Sequence, residues 1–206
     1  FFDPPNPEID PIILREILLL GGAATAELAA EGLTGVVTNA MYDTWWHGGM
    51  RSGPYYHNMV GLLTEAASVN IATPVEIPEE TLTSSTRGLP DPRTVLTNHP
   101  DPWPGGLWTL GDIVKYEEVT IRAFLTAAAR YREMFINNFV LMAQKAVARG
   151  QTEPPYAFVL PATDTNRDTL TLMVNTLLFQ GVEIHQAAAP FTAGGITYPA
   201  GSFVVL

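Results

Sequence analysis

Tyr42-Asp-Thr-Trp-Trp-His-Gly-Gly-Met-Arg-Ser-Gly-Pro-Tyr-Tyr-His-Asn-Met-Val-Gly-Leu-Leu-Thr-Glu-Ala-Ala-Ser68 carries two Trp, three Tyr, two His, one Arg and one Glu. Gly48-Gly49 and Gly53-Pro54 keep this backbone irregular. Hydrogen-bonding aromatics and charges are thereby gathered on loops, as in a binding cleft. The stretch then turns apolar over residues 59–63, predicted as part of a buried strand, and delivers one carboxylate, Glu65. A carboxylate behind such a strand is poorly solvated, which raises its proton affinity toward that of a general base. The other reading is a Glu at a strand end, solvated or paired for structural reasons.

Outward from this stretch the chain reads as α/β. Upstream, Asp10 caps and Pro11 opens a helix in which Ile13, Ile17, Leu20, Ala24 and Leu28 recur at helical spacing until Gly32 stops it. Gly21-Gly22 within it either weakens the helix or admits another backbone at close range. Residues 35–39 read as a short buried strand. Helix, strand, loop, strand is the order of an α/β layer with functional loops at strand ends. Downstream, residues 69–106 form a Pro-rich surface connection, pinned to the core by Trp103 and Trp108. Residues 112–149 read as one long helix whose packing stripe runs from Ile113 through Tyr116, Ile121 and Phe124 to Met142 and Ala146. After a linker at residues 151–155, a strand (156–160), a helix (168–180) and a second strand (182–186) make a βαβ unit, expected to be a right-handed crossover in a parallel sheet. A further strand is expected at residues 202–206. The expected division is 1–75, 76–111, 112–150 and 151–206.

Composition narrows the function classes. The chain has 206 residues, 47% hydrophobic and 16% charged, which supports a packed core and argues against disorder. A net charge of -10 without any Lys/Arg cluster argues against nucleic acid or an anionic membrane surface as partner. No apolar run approaches the ~20 residues of a spanning helix. The chain has no Cys, so it offers neither disulfides nor a thiolate nucleophile. Gly-x-Ser-x-Gly, Gly-x-Gly-x-x-Gly and P-loop patterns are absent. His47, His57, His99 and His185 form no His-x-x-Glu or His-x-His pair, although His47 and His57 could orient groups or ligate a metal. Phe1-Phe-Asp-Pro-Pro at one end and Phe-Val-Val-Leu206 at the other read as the text of a fragment.

The placing of Tyr42, Gly48-Gly49, Arg51 and Thr64-Glu65 resembles the last active-site segment of the zinc carboxypeptidases of the carboxypeptidase A-like type. In that family a mobile Tyr precedes a Gly-Gly turn, the residue two beyond lines the pocket floor, and a strand carries the catalytic Glu. Val182-Glu-Ile-His185, Phe191-Thr-Ala193 and Tyr198-Pro-Ala-Gly-Ser202 resemble the amidotransferase-like α/β unit that follows the peptidase domain in large bacterial members. The fold implied by the resemblance is the C-terminal part of a carboxypeptidase-like mixed sheet with flanking helices, then a long helix and a small βαβ unit.

The implied activity is removal of C-terminal residues from peptides. Glu65 would be the base for a water activated by zinc. Tyr42 would close over the substrate, and Gly48 and Gly49 would shape the turn beside it. Arg51 on the pocket floor would favour an acidic C-terminal side chain, unless it bridges to Asp43 or Glu65 for structure. The zinc ligands, a His-x-x-Glu pair and a later His, have no counterpart here and are expected upstream. Family resemblance also favours an exported protein, periplasmic or extracellular. Oligomeric state is not legible. The rival expectation is a non-catalytic module that grips peptide or carbohydrate through Trp45, Trp46, Tyr55 and Tyr56.

Overall fold

The computed structural model describes residues 5–40, 45–46, 48–83, 88–163, 165 and 167–206. The chain divides into two compact units, Phe1–Met142 and Ala143–Leu206.

In the first unit, α1 (Pro11–Ala30) begins where the Asp10 carboxylate accepts a hydrogen bond from the Ile12 amide. Pro11 fills the first helical position, where a missing N–H costs nothing. Gly32 ends the helix at φ 71, a conformation that favours glycine. The five residues expected on its buried face are all buried. Neither Gly21 nor Gly22 has a foreign atom where a Cβ would stand, so of the two readings the weakened helix holds. Ile9, Ile13 and Ile17 pack with Tyr55 and Met142 into a core flanked by Val60 and Leu62.

The expected long helix is two, α2 (Leu110–Arg130) and α3 (Arg132–Thr152). The break is at Tyr131, φ -103 and ψ 20, where the chain has neither Gly nor Pro to signal it. α2 starts on a reciprocal cap: Thr109 Oγ1 accepts from the Asp112 amide, and the Asp112 carboxylate accepts from the Thr109 amide and hydroxyl. These hydrogen bonds hold the Asp112 carboxyl below the ordinary carboxylate range. The buried face of α2 is Val119, Thr120, Ala123 and Ala127, whereas Ile121 of the expected stripe is 56% exposed. α1 packs against α2, and small side chains allow its close approach. A helix with apolar residues on several faces does not reveal from periodicity alone which face is chosen.

Two expected strands are absent. Residues 35–39 carry positive φ at Gly35 and Asn39, which breaks a ladder. Their hydrogen bonds go instead to a loop, Gly35 N–H to Asp101 O (2.7 Å) and Thr38 N–H to Asn98 O (2.9 Å). Residues 59–64 form no helix and pair with no strand among the described residues. Conversely, the Pro-rich connection contains β1 (Val75–Ile77) and β2 (Gly106–Trp108), an antiparallel pair too short to read between prolines. Trp108 pins this region as expected. Its indole N–H donates to Ala67 O (2.8 Å), and its ring meets Trp103 and Tyr116 edge-on at 5.8 and 5.3 Å.

The second unit holds β3 (Phe158–Leu160), α4 (Arg167–Phe179), β4 (Ile184–Gln186), the hairpin β5 (Phe191–Ala193)–β6 (Ile196–Tyr198) and β7 (Phe203–Val205). The sheet order is β3-β7-β4, with both outer strands antiparallel to β7. β3 and β4 therefore run in the same direction, as a βαβ unit requires, but the expected parallel pairing is replaced because β7 lies between them. Gly194 and Gly195, at φ 57 and 79, make the two-residue turn that returns the chain. Ser202, fully buried, knots the return: its Oγ accepts from the Ala162 amide (3.2 Å) and donates to Pro199 O (2.8 Å). Among the described residues no helix is long and apolar enough to cross a membrane.

Glu16 is a buried carboxylate in the α1 face, 5% exposed, accepting a hydrogen bond from the Asn138 amide at 2.9 Å. Burial pushes its carboxyl above the ordinary range, the Asn138 hydrogen bond opposes this, and nearby Asp10 adds to it. A raised folded-state value means stability that is present when Glu16 is protonated and is lost as pH rises through that value. Glu16→Gln should therefore raise the unfolding temperature near pH 7 by roughly 2–4 °C, from about 1 kcal/mol of relieved charge burial. The gain should vanish near pH 4, where Glu is largely protonated. Thermal unfolding of both proteins at the two pH values checks it, and an equal gain at both would refute the cause.

Candidate functional site

The aromatic-rich stretch folds as a knotted turn followed by a run that is neither helix nor strand. Gly49 N–H donates to Trp46 O (2.9 Å), closing the first turn. Ser52, 1% exposed, ties it: its Oγ donates to Trp46 O at 2.6 Å, lies 3.1 Å from Gly49 O, and accepts from the Trp46 amide at 3.3 Å. Gly48 and Gly49 are needed here for close approach and not for positive φ. A Cβ on Gly48 would lie 2.7 Å from the Trp46 indole, and one on Gly49 would lie 3.2 Å from Ser52 Oγ.

Gly53–His57 then makes a 3-10 turn that Asn58 ends at φ 58. The turn drives Tyr55 into the core at 2% exposure. The Tyr55 hydroxyl donates to Gly61 O at 3.0 Å, tying the run that follows back to the turn. At this crossing the Arg51 carbonyl rests on Gly61, where a Cβ would come within 1.8 Å of it. Asn6 donates to the neighbouring Tyr56 hydroxyl (2.9 Å), and burial pushes that phenol above its ordinary range while the Asn6 hydrogen bond opposes the shift.

Of the expected site residues, Gly48, Gly49 and Arg51 share one turn, with Arg51 half-buried. Glu65 follows the Arg51–Gly61 crossing by four residues, at most about 14 Å of extended chain. It is exposed, on a segment that is not a strand. That corrects the expectation of a carboxylate desolvated behind a buried strand: without a ladder partner the run leaves the core after Leu62, and Leu63 is already 41% exposed. Tyr42 and His47 lie outside the described residues.

Among the described residues no three His, Asp or Glu side chains gather in a way that could hold a metal ion. His57 is exposed, buried His99 donates from Nδ1 to Thr94 O at 3.2 Å, and His185 sits 3.1 Å from the Glu183 carboxylate. These donors do not fit the zinc that the resemblance implies.

Two residues that organise the site were not singled out from sequence for that role. Ser52 was signalled only by its place before Gly53-Pro54. Tyr55 counted as a possible ligand contact, whereas it is an anchor. No family model matches the chain, and neither a curated protein nor a solved structure matches it.

Proposed function

We propose that residues 42–65 form the substrate-facing part of a metallocarboxypeptidase, which removes C-terminal residues from peptides. The observation that supports this reading is the crossing of Arg51 on Gly61, which sets the Arg51 backbone against the run that precedes Glu65. Glu65, exposed and therefore reachable, takes the proton of the attacking water and passes it to the leaving amine. Arg51 receives the acidic side chain of the residue to be removed through a charge-assisted pair. It is the only Lys or Arg between Arg15 and Arg87 in a chain of net charge -10. Tyr42 closes over the substrate's end. The zinc that this reading entails would take its donors from upstream, and the resemblance favours an exported location, periplasmic or extracellular.

Arg51→Ala tests the specificity. Its kcat/KM for peptides ending in Glu or Asp is expected to fall by roughly 100-fold, the equivalent of one lost charged hydrogen-bond pair. Peptides ending in Leu should change by less than about threefold. Equal losses on both would remove the role. A second reading is favoured by the exposure of Trp45, Trp46 and Tyr56: a non-catalytic module that binds peptide or carbohydrate on these rings. Stoichiometric zinc in the complete protein separates the two, since the module needs none.

A further inference from the structure

We propose that the outward face of α2 is the interface of a homodimer, in which a second copy of this chain lays its own α2 antiparallel along it. The proposal is independent of the reading of residues 42–65. α2 already buries one side, Val119, Thr120, Ala123 and Ala127, and packs against α1. On the opposite side Leu110, Val114, Ile121 and Leu125 recur at helical spacing and line one stripe about 22 Å long. The last three are each more than half exposed. A surface helix is polar on the face that meets water, and one that is apolar on both faces is suited to a second packing layer.

The charges beside the stripe say what covers it. Glu118 and Arg122 share one edge of the shallow groove that Val114, Ile121 and Leu125 line. Arg122 Nη2 donates to Glu31 at the end of α1, while Nη1 stands 3.9 Å from the Glu118 carboxylate, beyond hydrogen-bond reach. Opposite signs one helical turn apart on one edge are self-complementary. A twofold axis perpendicular to two antiparallel α2 helices keeps that edge facing itself. With the axis level with residues 119 and 120, Val114 meets the partner's Leu125, and Glu118 stands within about 1.5 Å, along the helix, of the partner's Arg122. The contact occurs twice, and each Nη1 gains a second carboxylate without releasing Glu31. A partner of one charge sign would be repelled by one of the two residues, which is why a second copy is favoured.

The test is sedimentation equilibrium of the complete protein from about 2 to about 500 µM, at about 0.15 M salt to screen the repulsion between acidic copies. The stripe is short, so the dimer should be reversible, with Kd on the order of 10–100 µM. Ile121→Gln should weaken it by at least about tenfold. Glu118→Arg and Arg122→Glu should each weaken it as much. An equimolar mixture of these two should associate as strongly as the parent, because each Arg then meets a Glu across the axis. A parent that stays monomeric throughout overturns the proposal. So does a dimer whose Kd Ile121→Gln leaves within about twofold, since the second copy then docks elsewhere. A mixture of the two folded variants that associates no better than either alone overturns the register and with it the proposal. At about 2 µM, where the parent is monomeric, Ile121→Gln should melt within about 2 °C of it. A larger fall would mean that another part of the complete protein already covers the stripe, which also overturns the dimer.

Discussion

Gly61→Ala is expected to lower the unfolding temperature by roughly 6–12 °C, the equivalent of about 3 kcal/mol in a domain of this size. The added methyl would stand 1.8 Å from the Arg51 carbonyl oxygen and 2.9 Å from its carbon. Both neighbours are backbone, so no rotamer change relieves the contact, and overpacking of this kind costs about 1–3 kcal/mol. The shift also pulls the Gly61 carbonyl from the buried Tyr55 hydroxyl, at about 1–3 kcal/mol more if that donor is left unsatisfied. Gly22→Ala is the opposite case. It stands mid-helix with open space around it, and should raise stability by roughly 0.5–1 kcal/mol. Thermal unfolding of the two variants reads both signs. A Gly61→Ala protein that melts within about 1 °C of the parent would mean that the crossing is not close-packed.

Local signals were legible where one residue decides one conformation. Asp10-Pro11 opened α1 and Gly32 closed it, because a cap, a fixed φ and a positive φ are properties of single side chains. Gly181, just beyond α4, likewise takes a positive φ of 83. Strand pairing was not, because it depends on what stands beside the run. Residues 59–64 have the composition of a buried strand and no described partner, whereas β1 and β2 have three residues each and pair. β7 lies between β3 and β4 because a hairpin returns the chain, which neither strand's sequence encodes. At the site, the Gly48-Gly49 turn was legible from glycine alone. Its knot was not, since Ser52 acts by burial at 1% exposure and serine is ordinarily a surface residue. The desolvation expected for Glu65 failed with the strand that was to supply it, leaving an exposed side chain.

That exposure makes Glu65→Gln the second large-effect substitution and the most direct test of the proposed chemistry. Gln has nearly the same shape but cannot take up a proton at neutral pH, and positioned proton transfer contributes roughly 10²–10⁴-fold to rate. An exposed residue outside the core carries little stability, so a loss of activity cannot be assigned to unfolding. The measurement is kcat for release of a C-terminal Glu from an unblocked peptide by the complete protein, with unfolding temperature and zinc content determined on the same preparations. A fall of about 10³-fold in kcat is expected, with the other two quantities unchanged. A Glu65→Gln protein that keeps kcat within about threefold of the parent would contradict it.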